Sequence, residues 1–196
     1  MRIAIVTFEG CNEIDSFVAL NMLNRVQQPG WRAQITCPSP SVVSANGVRI
    51  EAQQPLEFAN EADVVLVGSG RLTRTIIEDQ AIMSRLKLSP TRQLIGSQCS
   101  GALVLAKLGL LRSIPACTDH TTRPFLLAAD VAVLDKSFHS SGNIATAGGC
   151  LAAHYLATWV IVHALGEVAA EAALRYVVPV GEEQTYIARA LEAVRA

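Results

Sequence analysis

Apolar positions along the chain fall into two alternating patterns: short unbroken runs, and longer stretches with helical spacing. Arg2–Phe8 (RIAIVTF) is a short apolar run bounded by polar residues, which predicts a buried strand. In Asn12–Val26, the residues Ile14, Phe17, Val18, Met22 and Val26 recur at helical intervals, and Pro29-Gly30 stops the pattern. Trp31–Cys37 reads as a second strand. Val42–Gln53 reads as a hairpin turning at Asn46-Gly47, since a type I′ turn needs positive φ at both central residues. Asp63–Val67 (DVVLV) is a third buried strand, ending at Gly68-Ser69-Gly70, and a helix is expected over Ile76–Leu88. Gln93–Ser97 is another strand and Ser100–Leu110 a helix. Ala116–Thr118, Val131–Leu134 and Ile144–Ala147 are short strand candidates, and helices beginning near Cys150 and near Glu182 close the chain.

Strands alternating with helices at this spacing imply βαβ units and a mostly parallel sheet. Right-handed crossovers then place helices on both faces. The expectation is an α/β protein, a single-domain three-layer sandwich over residues 1–196. Ligands in such sheets bind beyond the carboxyl ends of the strands, so function is expected after Phe8, Val67 and Ser97.

Composition narrows the classes. The 196 residues are 51% hydrophobic and 17% charged, with a formal net charge of −1. Disorder requires the opposite balance. No basic field exists to attract phosphates, so a nucleic-acid partner is not expected. The low charged fraction implies much hidden surface, from a sheet covered on both faces or from an interface between copies. No Lys, Arg, Asp or Glu occurs from Ser137 to Gly166, but Gly148, Gly149, His154 and His163 interrupt that stretch. It reads as a buried helix rather than a membrane span. Five cysteines (Cys11, Cys37, Cys99, Cys117, Cys150) are odd in number and widely spaced, with no CxxC. That pattern predicts neither a disulfide framework nor a metal site, and the start of the chain lacks a signal-peptide pattern. A cytoplasmic protein with reduced thiols, no cofactor and a small-molecule substrate or ligand is expected.

The chemistry is concentrated in Gln93–Leu105, QLIGSQCSGALVL. An apolar strand runs through Ser97-Gln98-Cys99-Ser100-Gly101 directly into an apolar helix, the layout of a nucleophile elbow with sulfur in place of oxygen. The tight turn pushes the side chain outward, and the helix that follows aims free N–H groups and its positive end at the sulfur. Such an environment is expected to lower the thiol pKa and make Cys99 a thiolate. The backbone N–H of Ser100 is a natural oxyanion donor, and the N–H groups of Gly68-Ser69-Gly70 are candidate second donors. In FEGCNEID, after the first strand, Asp15 or its neighbour Glu13 is the candidate pocket acid. An acid beside a thiolate would stay protonated and could act as a general acid. His120, in Thr118-Asp119-His120, could orient or protonate groups at the pocket. Cys150 follows Gly148-Gly149 and opens a helix, so it either packs or faces Cys99 as a second thiol. Cys11, Cys37 and Cys117 are expected to be inert, and His139, His154 and His163 structural.

GCNEIDSFVALNML, VVLVGSG, IGSQCSGALVLAKLGLL and IATAGGCLAAHYLA together resemble the ThiJ/PfpI superfamily over nearly the whole chain. That resemblance implies a flavodoxin-like fold similar to class I glutamine amidotransferases. It also implies a Cys nucleophile at Cys99, an acid hydrogen-bonded to it at Asp15, and backbone oxyanion donors at Gly68-Ser69-Gly70 and Ser100. His120 matches a histidine often found near the nucleophile. Asp15 and Ser100 look most like the branch of isonitrile hydratase and the amidotransferase-like domains of AraC-type regulators. The protease branch carries His directly after the nucleophile; here Ser100 stands there, which disfavours a peptidase. The family's Thr-Thr-His-Trp-like segment is Thr118-Asp119-His120-Thr121, without the aromatic wall.

The resemblance implies a small-molecule hydratase or hydrolase using Cys99 and Asp15, in a homodimer. The alternatives are a non-enzymatic redox or ligand sensor built on the same thiol, and a glyoxalase or deglycase activity.

Overall fold

The computed structural model describes residues 1–195. In chain order the first half comprises β1 (Arg2–Val6), α1 (Glu13–Leu23), β2 (Arg32–Cys37), β3 (Ser41–Val43), β4 (Arg49–Glu51), β5 (Gln54–Pro55), α2 (Phe58–Glu61), β6 (Val64–Val67), α3 (Thr73–Ile76) and α4 (Gln80–Met83). The second half comprises β7 (Leu94–Gln98), α5 (Gly101–Lys107), α6 (Arg123–Ala128), β8 (Phe138–Ser141), β9 (Ile144–Ala147), α7 (Ala153–Leu165), α8 (Glu167–Arg175) and α9 (Glu183–Arg195). Seven strands form one sheet in the order β5-β2-β1-β6-β7-β9-β8, and β3 pairs with β4 in a separate hairpin. All neighbours in the large sheet run parallel except β8 against β9.

The pleat divides the core in two. In β1, Ile3 and Ile5 face the cluster under α1, α7, α8 and α9, while Ala4 and Val6 face the opposite cluster with Leu103, Val104 and Leu105 of α5. Helices thus cover both faces, as the continuous apolar runs of β1 and β6 require. The charge-free stretch runs through β8 and β9 into the buried α7, whose Leu156, Trp159 and Ile161 are at most 2% exposed. Truncating Leu156 to Ala there would cost about 2–5 kcal/mol. No helix among the described residues is long and apolar enough to cross a membrane.

Several boundaries differ from the sequence reading. The helix expected over Ile76–Leu88 is two single turns, because the Asp79 side chain accepts the amides of Ala81 and Ile82 and caps a new start. Gln93 lies outside β7: its side-chain amide donates to the carbonyls of Ala59 and Ala62, and the strand begins at Leu94. Ala116–Thr118 and Val131–Leu134 form no strands, only one parallel bridge between Ala116 and Val133. β8, which carries His139 and two serines, has no apolar run to betray it and exists by pairing with β9. Before α7, Cys150–Ala152 form a single 3₁₀ turn.

Candidate active site

The carboxyl ends of β1, β6, β7 and β9 converge on one cleft of about 450 Å³. Cys99 stands between β7 and α5 with φ +46°, a left-handed conformation rare for a residue with a side chain. Holding it there costs on the order of 1–3 kcal/mol. Neighbouring contacts enforce it. The Cys99 amide donates to the Ala147 carbonyl at 2.8 Å, and the Thr118 hydroxyl donates to the Cys99 carbonyl at 2.9 Å. Two residues on, Gly101 lets α5 close against β6: a Cβ there would sit 2.5 Å from the Val67 carbonyl oxygen and 2.9 Å from that of Gly68. The elbow read from the sequence is therefore built.

Three reactive groups from distant parts of the chain meet at this elbow. One donor atom each of Asp15, Cys99 and Cys150 lies within 4.8 Å of the others. Asn12 caps α1, its side chain accepting the Ile14 amide, and this places Asp15 in the first turn, 3% exposed. The Ser69 hydroxyl donates to Asp15 Oδ2, while Asp15 Oδ1 is buried without a partner among the described residues. Asn12 also donates to Cys150 Sγ at 2.9 Å. Cys99 is 3% exposed but lines the cleft, as does the half-buried Cys150.

A family model for the DJ-1/PfpI family matches residues 1–162 of this chain. The chain belongs to the DJ-1/PfpI family. Solved structures of family type superpose on it. Schizosaccharomyces pombe DJ-1 is 16% identical with a TM-score of 0.76, covering 91% of this chain and 100% of its own. Drosophila melanogaster DJ-1beta is 20% identical with a TM-score of 0.77, covering 90% and 96%. A ThiJ/PfpI domain protein from Brachyspira murdochii is 17% identical with a TM-score of 0.71, covering 82% and 94%. At these identities the likeness establishes the fold. No curated protein matches the sequence significantly. In this DJ-1/PfpI chain α8 and α9 lie beyond the matched residues and pack on α7.

Electrostatics at the DJ-1/PfpI elbow depart from the expectation of a resting thiolate. Burial pushes the Asp15 carboxyl up to about 6, opposed first by the hydrogen bond from Ser69. Burial also pushes the Cys99 thiol far above its ordinary range, and the negative charge of Asp15 adds to the rise. The expected lowering by the following helix does not win, because α5 is only seven residues long and starts two residues past Cys99. The groups of negative charge that act on the sulfur are Asp15, Cys150 and Asp119, and none is a cation. Both groups of the pair are thus raised, so the wall around the elbow disfavours negative charge on the carboxyl and on the sulfur alike. Cys150 is raised by burial and by Asp15. Cys11, Cys37 and Cys117 are fully buried, with thiols pushed by burial up to about 11, 12 and 11.

The remaining expected residues separate. In the glycine loop, the Gly68 amide is spent on the Val6 carbonyl and the Gly70 amide on Ser100 Oγ, so neither serves as an oxyanion donor. The amides of Ser69 and Ser100 have no protein acceptor among the described residues, and both residues line the cleft. The Ser100 hydroxyl lies 2.9 Å from Thr73 Oγ1 and braces the loop rather than reacting. His120 is a correction: it is exposed and lines a separate depression with Arg123 and Lys136, and its neighbour Asp119 enters the cleft instead. Asp119 accepts from Thr121 and Thr122, which outweigh burial and hold its carboxyl below the usual range. Glu13 is not the buried acid; it accepts from Ser44 and Asn46 at the hairpin turn and edges the cleft.

Sequence reasoning missed Asn12, Thr73, Arg71, Arg74 and Phe125, all of which line the cleft. Asn12 had a signal, being a capping residue type ahead of a helical pattern. Phe125 supplies an aromatic wall, with the Arg74 guanidinium 4.6 Å from its ring centre. No local motif marks that pair, because α6 is brought there by tertiary packing.

Proposed function

We propose that this protein is a cysteine-dependent hydratase of small electrophilic molecules, with an isonitrile as the reference substrate. The observation that carries the reading is the strained, cleft-lining Cys99 with a buried carboxylate of raised pKa within 4.8 Å of it. A carboxylate near 6 is basic enough to take the thiol proton as the sulfur attacks and acidic enough to return it. In the reaction, Cys99 Sγ bonds to the terminal isonitrile carbon while its proton passes to Asp15. Asp15 then delivers that proton to the same carbon, giving a thioimidate. Water adds to this carbon, the carbon–sulfur bond breaks, and an N-substituted formamide leaves as the proton returns to sulfur. The free amides of Ser69 and Ser100 face the cleft, where they can stabilise charge on the adduct. The cleft's volume of about 450 Å³ suits a small molecule, with Arg71 and Arg74 exposed at its mouth.

The test is turnover of an alkyl isonitrile to its formamide, together with mass spectrometry of acid-quenched protein. The expected result is a substrate-sized adduct on Cys99 and loss of turnover in Cys99→Ala. Turnover that survives Cys99→Ala rejects the covalent route. Absence of both adduct and turnover rejects the hydratase reading in favour of a sensor that uses the same thiol.

A further inference from the structure

The sequence reading expects no metal site, because the cysteines are widely spaced without a CxxC and His139, His154 and His163 lack partners at ligand spacing. The fold nevertheless gathers a donor set that local spacing cannot show. We propose that Asp15, Cys99 and Cys150 form a binding site for one thiophilic cation of the zinc type, with the cleft opening onto a fourth coordination position. This inference shares residues with the hydratase reading but does not rest on it.

The geometry carries it. The carboxylate oxygen and the two sulfurs all lie within 4.8 Å of one another. Zinc binds sulfur at about 2.3 Å and carboxylate oxygen at about 2.0–2.2 Å, so tetrahedral ligand atoms sit roughly 3.5–3.8 Å apart. The three atoms need to draw together by at most about 1.3 Å, and Cys150 is the half-buried member of the set. A disulfide would need the sulfurs at about 2.05 Å, a much larger movement.

A second observation points to a ligand. Asp15 Oδ1 is buried with no hydrogen-bond partner, although the residue is 3% exposed. A buried carboxylate oxygen left unpaired is costly, and a bound cation would satisfy it. Neighbouring side chains orient the set through hydrogen bonds. Ser69 holds Oδ2, which leaves Oδ1 free, and Asn12 fixes the Cys150 sulfur at 2.9 Å. Two sulfurs and one carboxylate select zinc or copper(I) over magnesium or calcium, which prefer oxygen alone. Binding replaces two S–H bonds by two sulfur–metal bonds and releases two protons to solvent. Metal and substrate then compete for Cys99, since a coordinated sulfur cannot also attack carbon.

The experiment titrates the reduced, metal-free protein with zinc, and with cobalt(II) as a spectroscopic probe. The expected result is one metal ion per chain, with thiolate-to-cobalt charge-transfer absorption that falls in both Cys99→Ser and Cys150→Ser. Asp15→Asn is expected to weaken zinc binding by at least about tenfold, since even outer-shell partners are worth about 10–100-fold. Zinc is expected to protect both Cys99 and Cys150 from iodoacetamide. Substoichiometric binding, cobalt absorption without thiolate charge transfer, or unchanged binding in folded Cys150→Ser overturns the proposal. The hydratase reading fails separately, by absence of a Cys99 adduct in the metal-free protein.

Discussion

Replacing Asp15 by Asn is expected to stabilise the protein at neutral pH while removing its proton acceptor. Burial raises the carboxyl from 3.8 to about 6, so the ionised form is disfavoured in the folded protein. At about 1.4 kcal/mol per pH unit, the cost of carrying that charge at pH 7.5 is about 3 kcal/mol. The sign follows from linkage: a carboxyl raised on folding binds more protons in the native state. Its stabilising contribution is complete below about 3.8 and is lost as pH rises through about 6. Asn keeps an oxygen to accept from Ser69 but carries no charge. Urea unfolding should therefore show Asp15→Asn more stable by up to about 3 kcal/mol at pH 7.5, with the gain shrinking toward zero below pH 4. For a domain of this size that gain corresponds to roughly 6–12 °C in Tm. A variant less stable at both pH values, or equally more stable at both, would refute the claim that Asp15 is held as a desolvated charge.

Three further outcomes follow from the same geometry. Limiting iodoacetamide should label Cys99 and Cys150, which line the cleft, and spare the fully buried Cys11, Cys37 and Cys117; peptide mapping reads this directly. Ser69→Ala removes a hydrogen bond that holds the Asp15 carboxyl down, so the acidic limb of the pH–rate profile should move to higher pH; an unmoved limb removes Asp15 from the rate. Gly101→Ala places a methyl 2.5 Å from the Val67 carbonyl oxygen, which should cost about 1–3 kcal/mol in thermal or urea unfolding and slow Cys99 alkylation by shifting the elbow.

The sequence alone determined that helices cover both faces of the sheet and that Cys99 stands at a strand-to-helix elbow. The runs in β1 and β6 are apolar on both faces, and only a sheet covered on both sides buries them. The Ser97–Gly101 segment has small residues where the turn must close, so Cys99 could be placed at the elbow from local pattern. The first-helix acid was one of two candidates, and the capping geometry of Asn12 decided for Asp15. Tertiary structure decided what local pattern cannot encode. His120 and Asp119 are adjacent, and only packing of the loop before α6 sends one to solvent and the other to the cleft. Gly68, Ser69 and Gly70 look alike as donors until the sheet and Ser100 consume two of the three amides. The protonation of the pair also lies at this level, because desolvation depends on the surrounding wall rather than on neighbours in the chain. So does the meeting of residues 15, 99 and 150, which follow β1, β7 and β9 and owe their proximity to strand ends gathered at one edge of a parallel sheet.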